Sequence, residues 1–471
     1  MTLAEIAAVV DGRVDGDPSL VVSGEAFLDS RSVVPGGLFV AVVGEHTDGH
    51  AYAEAAHRDG AAAVLGSRPT GAPCVIVTDP VVALGRLARH VRDTVRPTVL
   101  ALTGSQGKTG TKDFLAQVLA TDGPTVATAG NLNNELGVPL TVLRADASTR
   151  YLVVEMGARG IGHIGYLCEI APPDVAAVLN VGTAHVGEFG SREAIAVAKG
   201  EIVEALPAEG TAVLNADDEM TGVMDARTVA TPLTFGLTGD VTWRDVVLDD
   251  LGRATFELGH HGEWRPVRLT QSGAHQVVNA TAAAAMALAV GLRLDQVADG
   301  LSAASSASRM RTEISERSDG LLVINDAYNA NPESMAAAVD TLIAIGSRRS
   351  RRTVAILGEM RELGDGAADA HRAVGRLAAE AGVDVLVAVG APAHGIAEGA
   401  SSVSGWTGEA HVTAGHDETR AWLRENVAAS DVVLVKASRG AALEVVVAAL
   451  LGDDAPQGTT DDPTKGEVTT R

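Results

Sequence analysis

Apolar positions in this chain come in short runs, each followed by a stretch where they recur every three or four residues. Leu3, Ile6, Ala7 and Val10 have helical spacing and predict an amphipathic first helix, with short strands after it. Leu38-Phe-Val-Ala-Val-Val43, Ala61-Ala-Ala-Val-Leu65 and Cys74-Val-Ile-Val77 read as strands, and Asp48-Gly-His50 opens a helix between the first two. Thr98-Val-Leu-Ala-Leu102 is a buried strand, and Phe114, Leu115, Val118 and Leu119 mark the helix behind it. Tyr151–Met156, Asp174–Gly182 and Thr211–Asp217 repeat the strand pattern, with a helix from Ser191 to Leu206. Pro139 sits at the first turn of another helix. Residues 228–270 alternate with period two (Phe256 and Leu258 against Thr255 and Glu257) and predict an antiparallel ribbon.

Ser302–Ser308 reads as a linker. Beyond it come strand Leu321–Asn325, a helix from Pro332, strand Thr353–Leu357, a helix near His371, strands Val383–Val389 and Val432–Val435, and a helix from Ala441. Strands alternating with helices predict α/β architecture with parallel sheets. A chain of 471 residues holds about three domains. Their expected limits are 1–97, 98–308 and 309–452, with a polar, acidic tail at 453–471 expected to be disordered.

Charge narrows the functions. Lys plus Arg number 37 against 60 Asp plus Glu, a net −23, and aromatics make up 3%. Neither the field nor the stacking platforms for general nucleic-acid binding are present. Anionic ligands therefore need local positive sites. The two cysteines, Cys74 and Cys168, form no metal pattern or disulfide framework, which suits a reducing cytoplasm. Glu5 interrupts the first apolar stretch and no basic segment precedes it, so no secretory signal is read there. The most apolar window, Val277–Leu292, is short and interrupted by Asn279 and Thr281, which predicts a buried helix and no membrane insertion.

The chemistry centres on Thr103-Gly-Ser-Gln-Gly-Lys-Thr-Gly-Thr111, set between a strand and a helix. Gly104 and Gly107 let the backbone N–H groups of Ser105, Gln106 and Gly110 turn inward, and the helix N-terminus adds partial positive charge. Lys108 reaches the β/γ-phosphates, and the Thr109 hydroxyl holds Mg²⁺, so the loop is read as an ATP or GTP site. Glu155 and His185 end the next two strands, where open parallel sheets place their ligands, and together suit a metal or phosphate role. Ser30 and Arg31, on a loop, fit a phosphate or plain solvation. Lys199, on a helix, reads as solvated. His275 and Asn279, spaced i, i+4, share a helix face that suits either a base or packing. Arg348-Arg-Ser-Arg-Arg352 reads as a solvated turn.

Taken in order, these stretches resemble the Mur ligase family of bacterial amide-bond ligases, and within it the branch that handles D-alanyl-D-alanine. The resemblance covers residues 1–450 and rests on Asp29-Ser-Arg31, Pro35-Gly-Gly-Leu-Phe-Val40, Asp48-Gly-His50, the phosphate loop and Gly130-Asn-Leu-Asn-Asn-Glu-Leu-Gly-Val-Pro139. Val154-Glu-Met-Gly157, Ala184-His185 and Ala198-Lys-Gly-Glu-Ile202 continue it. Asn325-Asp-Ala-Tyr-Asn-Ala-Asn-Pro332, Leu357-Gly-Glu-Met-Arg-Glu-Leu-Gly364 and Val435-Lys-Ala-Ser-Arg-Gly440 are the most diagnostic. Gly110 departs from the family's usual Ser or Thr, and Glu359 from its frequent Asp.

The resemblance implies an α/β, three-domain Mur ligase architecture: a UDP-substrate domain, a central P-loop ATPase-like parallel sheet and a C-terminal Rossmann-like domain. It implies ATP and Mg²⁺, with Thr109, Glu155, His185 and a carbamylated Lys199 around the metal. His275 and Asn279 fall at the adenine, Arg309 at the phosphates and Asp326 at the ribose. Asn133 and Asn134 face the muramoyl-peptide, joined by Ser30, Arg31, Asn329 and Asn331 as substrate residues, with Lys436, Ser438 and Arg439 at the dipeptide. The implied reaction joins D-Ala-D-Ala to UDP-N-acetylmuramoyl-tripeptide in a monomeric enzyme. The alternatives are a diaminopimelate- or lysine-adding or folylpolyglutamate-type ligase of the same superfamily, or a P-loop regulatory module without ligation.

Overall fold

A computed structural model describes residues 1–44, 47–182 and 186–452, with backbone alone at 186 and 188. His185 and the tail at 453–471 lie outside the described residues. Three sheets follow one another along the chain.

In the first, strands Cys74–Ile76, Ala63–Gly66, Leu38–Val40 and Ala26–Phe27 run parallel, and Arg13–Asp15 closes one edge antiparallel to Cys74–Ile76. The first helix is Leu3–Val10, with Thr2 and Glu5 in a reciprocal cap and Leu3, Ile6, Ala7 and Val10 buried. Asp48-Gly-His50 proves structural: His50 Nδ1 meets Asp48 Oδ1 at 2.7 Å, and Nε2 accepts from Ser67 N at 2.8 Å. A helix over Pro80–Val95, which sequence reading missed, leads to the second domain. Its signals were present, with Asp79 accepting from Val81 N and Val82 N and Pro80 at the first position.

The central sheet has nine strands. Seven successive strands are parallel, in the spatial order Val241–Leu248, Thr231–Phe235, Thr211–Asn215, Val175–Val178, Thr98–Thr103, Tyr151–Glu155 and Thr125–Ala127. The period-two ribbon (Val241–Leu248, Arg253–His260, Glu263–Ser272) extends this sheet through Phe235 and Val241 instead of standing apart. Side chains of the central strand divide by parity. Leu100 and Leu102 pack under helices Lys108–Ala120, His275–Ala289 and Leu294–Ala303, while Val99 and Ala101 pack under Arg192–Glu204 and the unanticipated helix His163–Ile170. With helices on both faces, the loops at the strands' C-terminal ends remain the open edge.

The third sheet runs Glu313–Glu316, Leu322–Asp326, Val432–Lys436, Thr353–Leu357, Val385–Val389 and Glu409–Thr413. Its first strand is antiparallel and the rest are parallel. Glu313–Glu316, Glu409–Thr413 and helix His416–Asn426 were not anticipated. The expected linker begins later than read, because helix Leu294–Ala303 continues into it. The last helix, Glu444–Leu451, starts three residues late, after a short turn at Arg439–Ala441 and Ala442 at φ 51°. Among the described residues no helix is long and apolar enough to cross a membrane.

Candidate active site

One cleft of about 1790 Å³ is lined by residues of all three domains. At its centre the chain leaves strand Thr98–Thr103, turns through the phosphate loop and enters helix Lys108–Ala120. Two glycines are needed for steric reasons. A Cβ on Gly104 would come within 2.9 Å of Leu179, and one on Gly107, at φ 79°, within 2.5 Å of Asn279 Oδ1.

Asn180, absent from the sequence reading, shapes the loop. Its Oδ1 accepts from both Ser105 N and Gln106 N at 3.0 Å, and its Nδ2 donates to Gln106 O at 3.2 Å. Those two loop N–H groups are therefore engaged within the protein. A phosphate is left the first-turn N–H groups of Lys108, Thr109 and Gly110, which have no partner inside the helix. Asn180→Ala removes the side-chain acceptor of both N–H groups, leaving Ser105 N only the Asn180 carbonyl at 3.2 Å, and is expected to raise the KM for ATP about tenfold, corresponding to about 1–3 kcal/mol. Initial rates against ATP concentration measure this.

Lys108 folds back so that Nζ donates to Gly104 O at 2.7 Å. Burial pulls its pKa below the usual lysine value, with Glu155 opposing that, Arg311 adding to it and Glu362 opposing it. Glu155 lies opposite Leu102 in the parallel ladder and is 2% exposed. Its Oε2 accepts from the Thr109 hydroxyl at 3.0 Å and its Oε1 from Asn133 Nδ2 at 2.8 Å. Loop, second strand and the Asn133 turn thus meet at one carboxylate.

Lys199, expected from sequence alone to be solvated, is instead 5% exposed. Burial holds its pKa well below the ordinary value, and the Lys108 charge pushes the same way. Among the described residues no carboxylate or hydrogen-bond acceptor meets its Nζ. An amine so placed is favoured in the neutral form.

The third domain supplies the opposite wall. Asp326 and Lys436 face each other across parallel strands and pair at 2.7 Å, with 11% and 2% of their side chains exposed. Lys436 also donates to Asn329 O at 2.7 Å, and Asp326 Oδ1 accepts from Thr312 N at 3.2 Å. The residues read as ribose and dipeptide contacts are therefore one ion pair. Lys436→Met would strand a buried carboxylate, and a loss of about 3–5 kcal/mol is expected in urea unfolding. His275 sits close by, its pKa lowered by burial, with Asp326 opposing and Lys436 reinforcing that shift.

Asn279 and its partner Gln276, bonded at 3.0 Å, lie directly against the loop helix. A Cβ at Gly110 would come within 2.9 Å of Asn279 Nδ2, so the departure to Gly110 makes room for that amide. Arg309 is exposed and outside the cleft lining; Arg311 lines it instead and stacks at 4.2 Å from the Tyr328 ring centroid. Met310 and Thr312, both non-glycine residues at positive φ (58° and 49°), turn the segment so that Arg311 enters.

Ser30 and Arg31 also lie off the cleft wall, with Arg31 paired to Asp29 at 3.0 Å, while Asp29 and Ser32 line it. Asn134 accepts from Gly137 N at 2.9 Å and Asn331 caps helix Pro332–Arg349 through Ser334 N at 2.8 Å, so both line the cleft while holding helix starts. Ser438 Oγ accepts from Arg361 N at 3.0 Å, and Arg439 is held by Glu444 at 2.9 Å.

Family models match in the same order. The Mur ligase family catalytic domain covers residues 27–98, the Mur ligase middle domain 102–287 and the glutamate ligase domain 310–439. The UDP-N-acetylmuramoyl-tripeptide--D-alanyl-D-alanine ligase of Mycobacterium tuberculosis is 45% identical, spanning 96% of this chain and 98% of the relative. That of Escherichia coli is 37% identical over the same shares, 96% and 98%. Among solved structures, MurF from Acinetobacter baumannii superposes with a TM-score of 0.86 at 34% identity, covering 96% of this chain and 98% of that one. MurF ligase from Thermotoga maritima in complex with ADP gives 0.78 at 30%, covering 92% and 98%. With three domain models in register on three sheets, and relatives aligned nearly end to end, the chain belongs to the Mur ligase family.

Proposed function

We propose that this chain is an ATP-dependent, ADP-forming ligase that joins D-alanyl-D-alanine to UDP-N-acetylmuramoyl-tripeptide, completing the pentapeptide precursor of peptidoglycan. The observation that carries this reading is the cleft in which residues of all three domains surround the phosphate loop. A carboxylate donor, a nucleotide and an amine acceptor need such a shared space. The relatives' names supply the substrates. We place the enzyme in the cytoplasm as a monomer.

The chemical obstacle is that a carboxylate must attack a γ-phosphate, so two anions have to approach. Lys108 and the first-turn N–H groups of its helix lower that repulsion and meet the charge that grows on the transferring phosphoryl group. Arg311, fixed on Tyr328, brings a further cation from the third domain. The resulting acyl phosphate has a far better leaving group than the free acid, and the acceptor amine displaces phosphate from it. Water would destroy that intermediate, so closure of the third domain over the loop is expected during turnover. Asp326, held by Lys436 at 2.7 Å, suits the ribose hydroxyls, and His275 and Asn279 the adenine side.

Thr109 Oγ1 and Glu155 Oε2, a hydroxyl and a carboxylate at 3.0 Å, are hard oxygen donors that fit Mg²⁺. Bound there, the ion would supply charge neutralisation between the phosphates. Lys199, a buried amine without a partner among the described residues, fits carbamylation by CO₂, which would add an anionic oxygen pair to the same cleft. The role of His185 as a further ligand rests on the family resemblance. An ADP-release assay tests the reading. Turnover is expected only with ATP, the UDP-tripeptide and D-Ala-D-Ala together, and turnover with a free diamino acid in place of the dipeptide would overturn it.

A further inference from the structure

The segment Gly358–Leu363, after strand Thr353–Leu357, is fixed at four successive residues. Gly358 N donates to Lys436 O at 2.9 Å, Glu359 O accepts from Ser438 N at 2.9 Å, and Arg361 N donates to Ser438 Oγ at 3.0 Å. Between them Met360 N donates to His371 Nε2 at 2.9 Å. His371 is 2% exposed, and its Nδ1 lies 2.7 Å from Ala367 O. A carbonyl accepts only and an N–H donates only, so the ring is the neutral tautomer with its Nε2 lone pair aimed at the segment.

This holding presents two exposed side chains to the cleft: Arg361, paired with Glu359 at 3.0 Å, and Glu362, at φ 64°. A non-glycine residue in that region is uncommon and persists where its surroundings over-determine it. On its far side Leu363 is buried and Gly364, at φ 57°, presses on the central domain. A Cβ on Gly187 would come within 2.6 Å of Gly364 N. Glu362 lines the cleft, and its charge acts on Lys108 across the domain boundary. The steps above leave this carboxylate without a task, and they leave one demand unmet. An α-amino group, with a pKa of about 7.7–8.0, reaches the site largely as an ammonium, which has no lone pair for attack.

We propose that Glu362 receives the acceptor's ammonium group, aims it at the acyl carbon and takes its proton; this rests on the ligase reading above. The balance is simple. One ammonium proton passes to Glu362 and on to solvent, and the freed lone pair forms the C–N bond. The acyl C–O bond breaks with its electron pair leaving on phosphate, and the second nitrogen proton ends on that phosphate. His371 and Ser438 are positioning residues for this carboxylate.

Glu362→Gln keeps shape and loop conformation but not basicity. Its melting temperature should equal that of the parent enzyme, and it should lose about 10²-fold or more in kcat with D-Ala-D-Ala. Hydroxylamine, an amine that is neutral at neutral pH, needs no base. With ATP and the UDP-tripeptide, the variant should form hydroxamate within about threefold of the parent rate. Unchanged dipeptide turnover would overturn the proposal, as would equal losses with both nucleophiles, because the latter locates the defect before amine attack. Parent enzyme that captures hydroxylamine but never couples the dipeptide would overturn the ligase reading, and this proposal with it.

Discussion

Replacing Lys108 with alanine is expected to reduce turnover by at least about 10³-fold while the first domain still binds the UDP substrate. Lys108 is a half-buried cation at the first position of the loop helix, tethered to Gly104 O at 2.7 Å and acted on by the Glu155 charge. Its charge matters most as the phosphoryl group moves, so kcat should fall more than nucleotide binding. A secondary effect has a definite sign. The Lys108 cation helps depress the Lys199 pKa, so its removal should raise that pKa. ADP release measures the first effect and calorimetry with the UDP substrate the binding; normal ADP production would show that the loop does not act on phosphate.

Lys199→Ala should also lose most activity, about 10²-fold or more, without unfolding. As an ammonium, Lys199 would repel both Lys108 and a metal ion, and a neutral amine is a poor ligand for a hard cation. A carbamate resolves both conflicts, because it converts a buried cation into an anionic oxygen donor. Formate or acetate at high concentration should therefore partly restore Lys199→Ala by filling the vacated position. Lys199→Arg should resist rescue, since a guanidinium occupies the space with a permanent positive charge. Full activity of Lys199→Ala in buffer free of carboxylates would exclude the role.

The part of the site within one local segment was legible before the structure. Strand, loop and helix from Thr98 to Ala120 are written in apolar periodicity, and Glu155 follows from ending the next buried run. The environment of Lys199 was not legible, because helical spacing says which face is apolar but not what covers a polar one. The Asp326–Lys436 pair was hidden for a different reason. The two lie 110 residues apart in sequence, and only the parallel register of their strands sets them opposite. Arg309 and Arg311 differ by two positions, and left-handed backbone at Met310 and Thr312, where no glycine signals it, decides which enters the cleft. Asn180 offered only a lone amide at a strand end. Helix Pro80–Val95 carried a full start signal in Asp79 and Pro80, and the periodicity of Val81, Leu84, Leu87 and Ala88 agreed with it.

In the proposed reaction the peptide carboxylate is activated as an acyl phosphate in this cleft before the amine attacks. This activation is tested most directly with UDP-N-acetylmuramoyl-tripeptide carrying ¹⁸O in its terminal carboxylate, turned over with ATP and D-Ala-D-Ala. One ¹⁸O atom is expected in inorganic phosphate for each amide formed, read by mass spectrometry of the phosphate. Unlabelled phosphate accompanying the same amide product would contradict it.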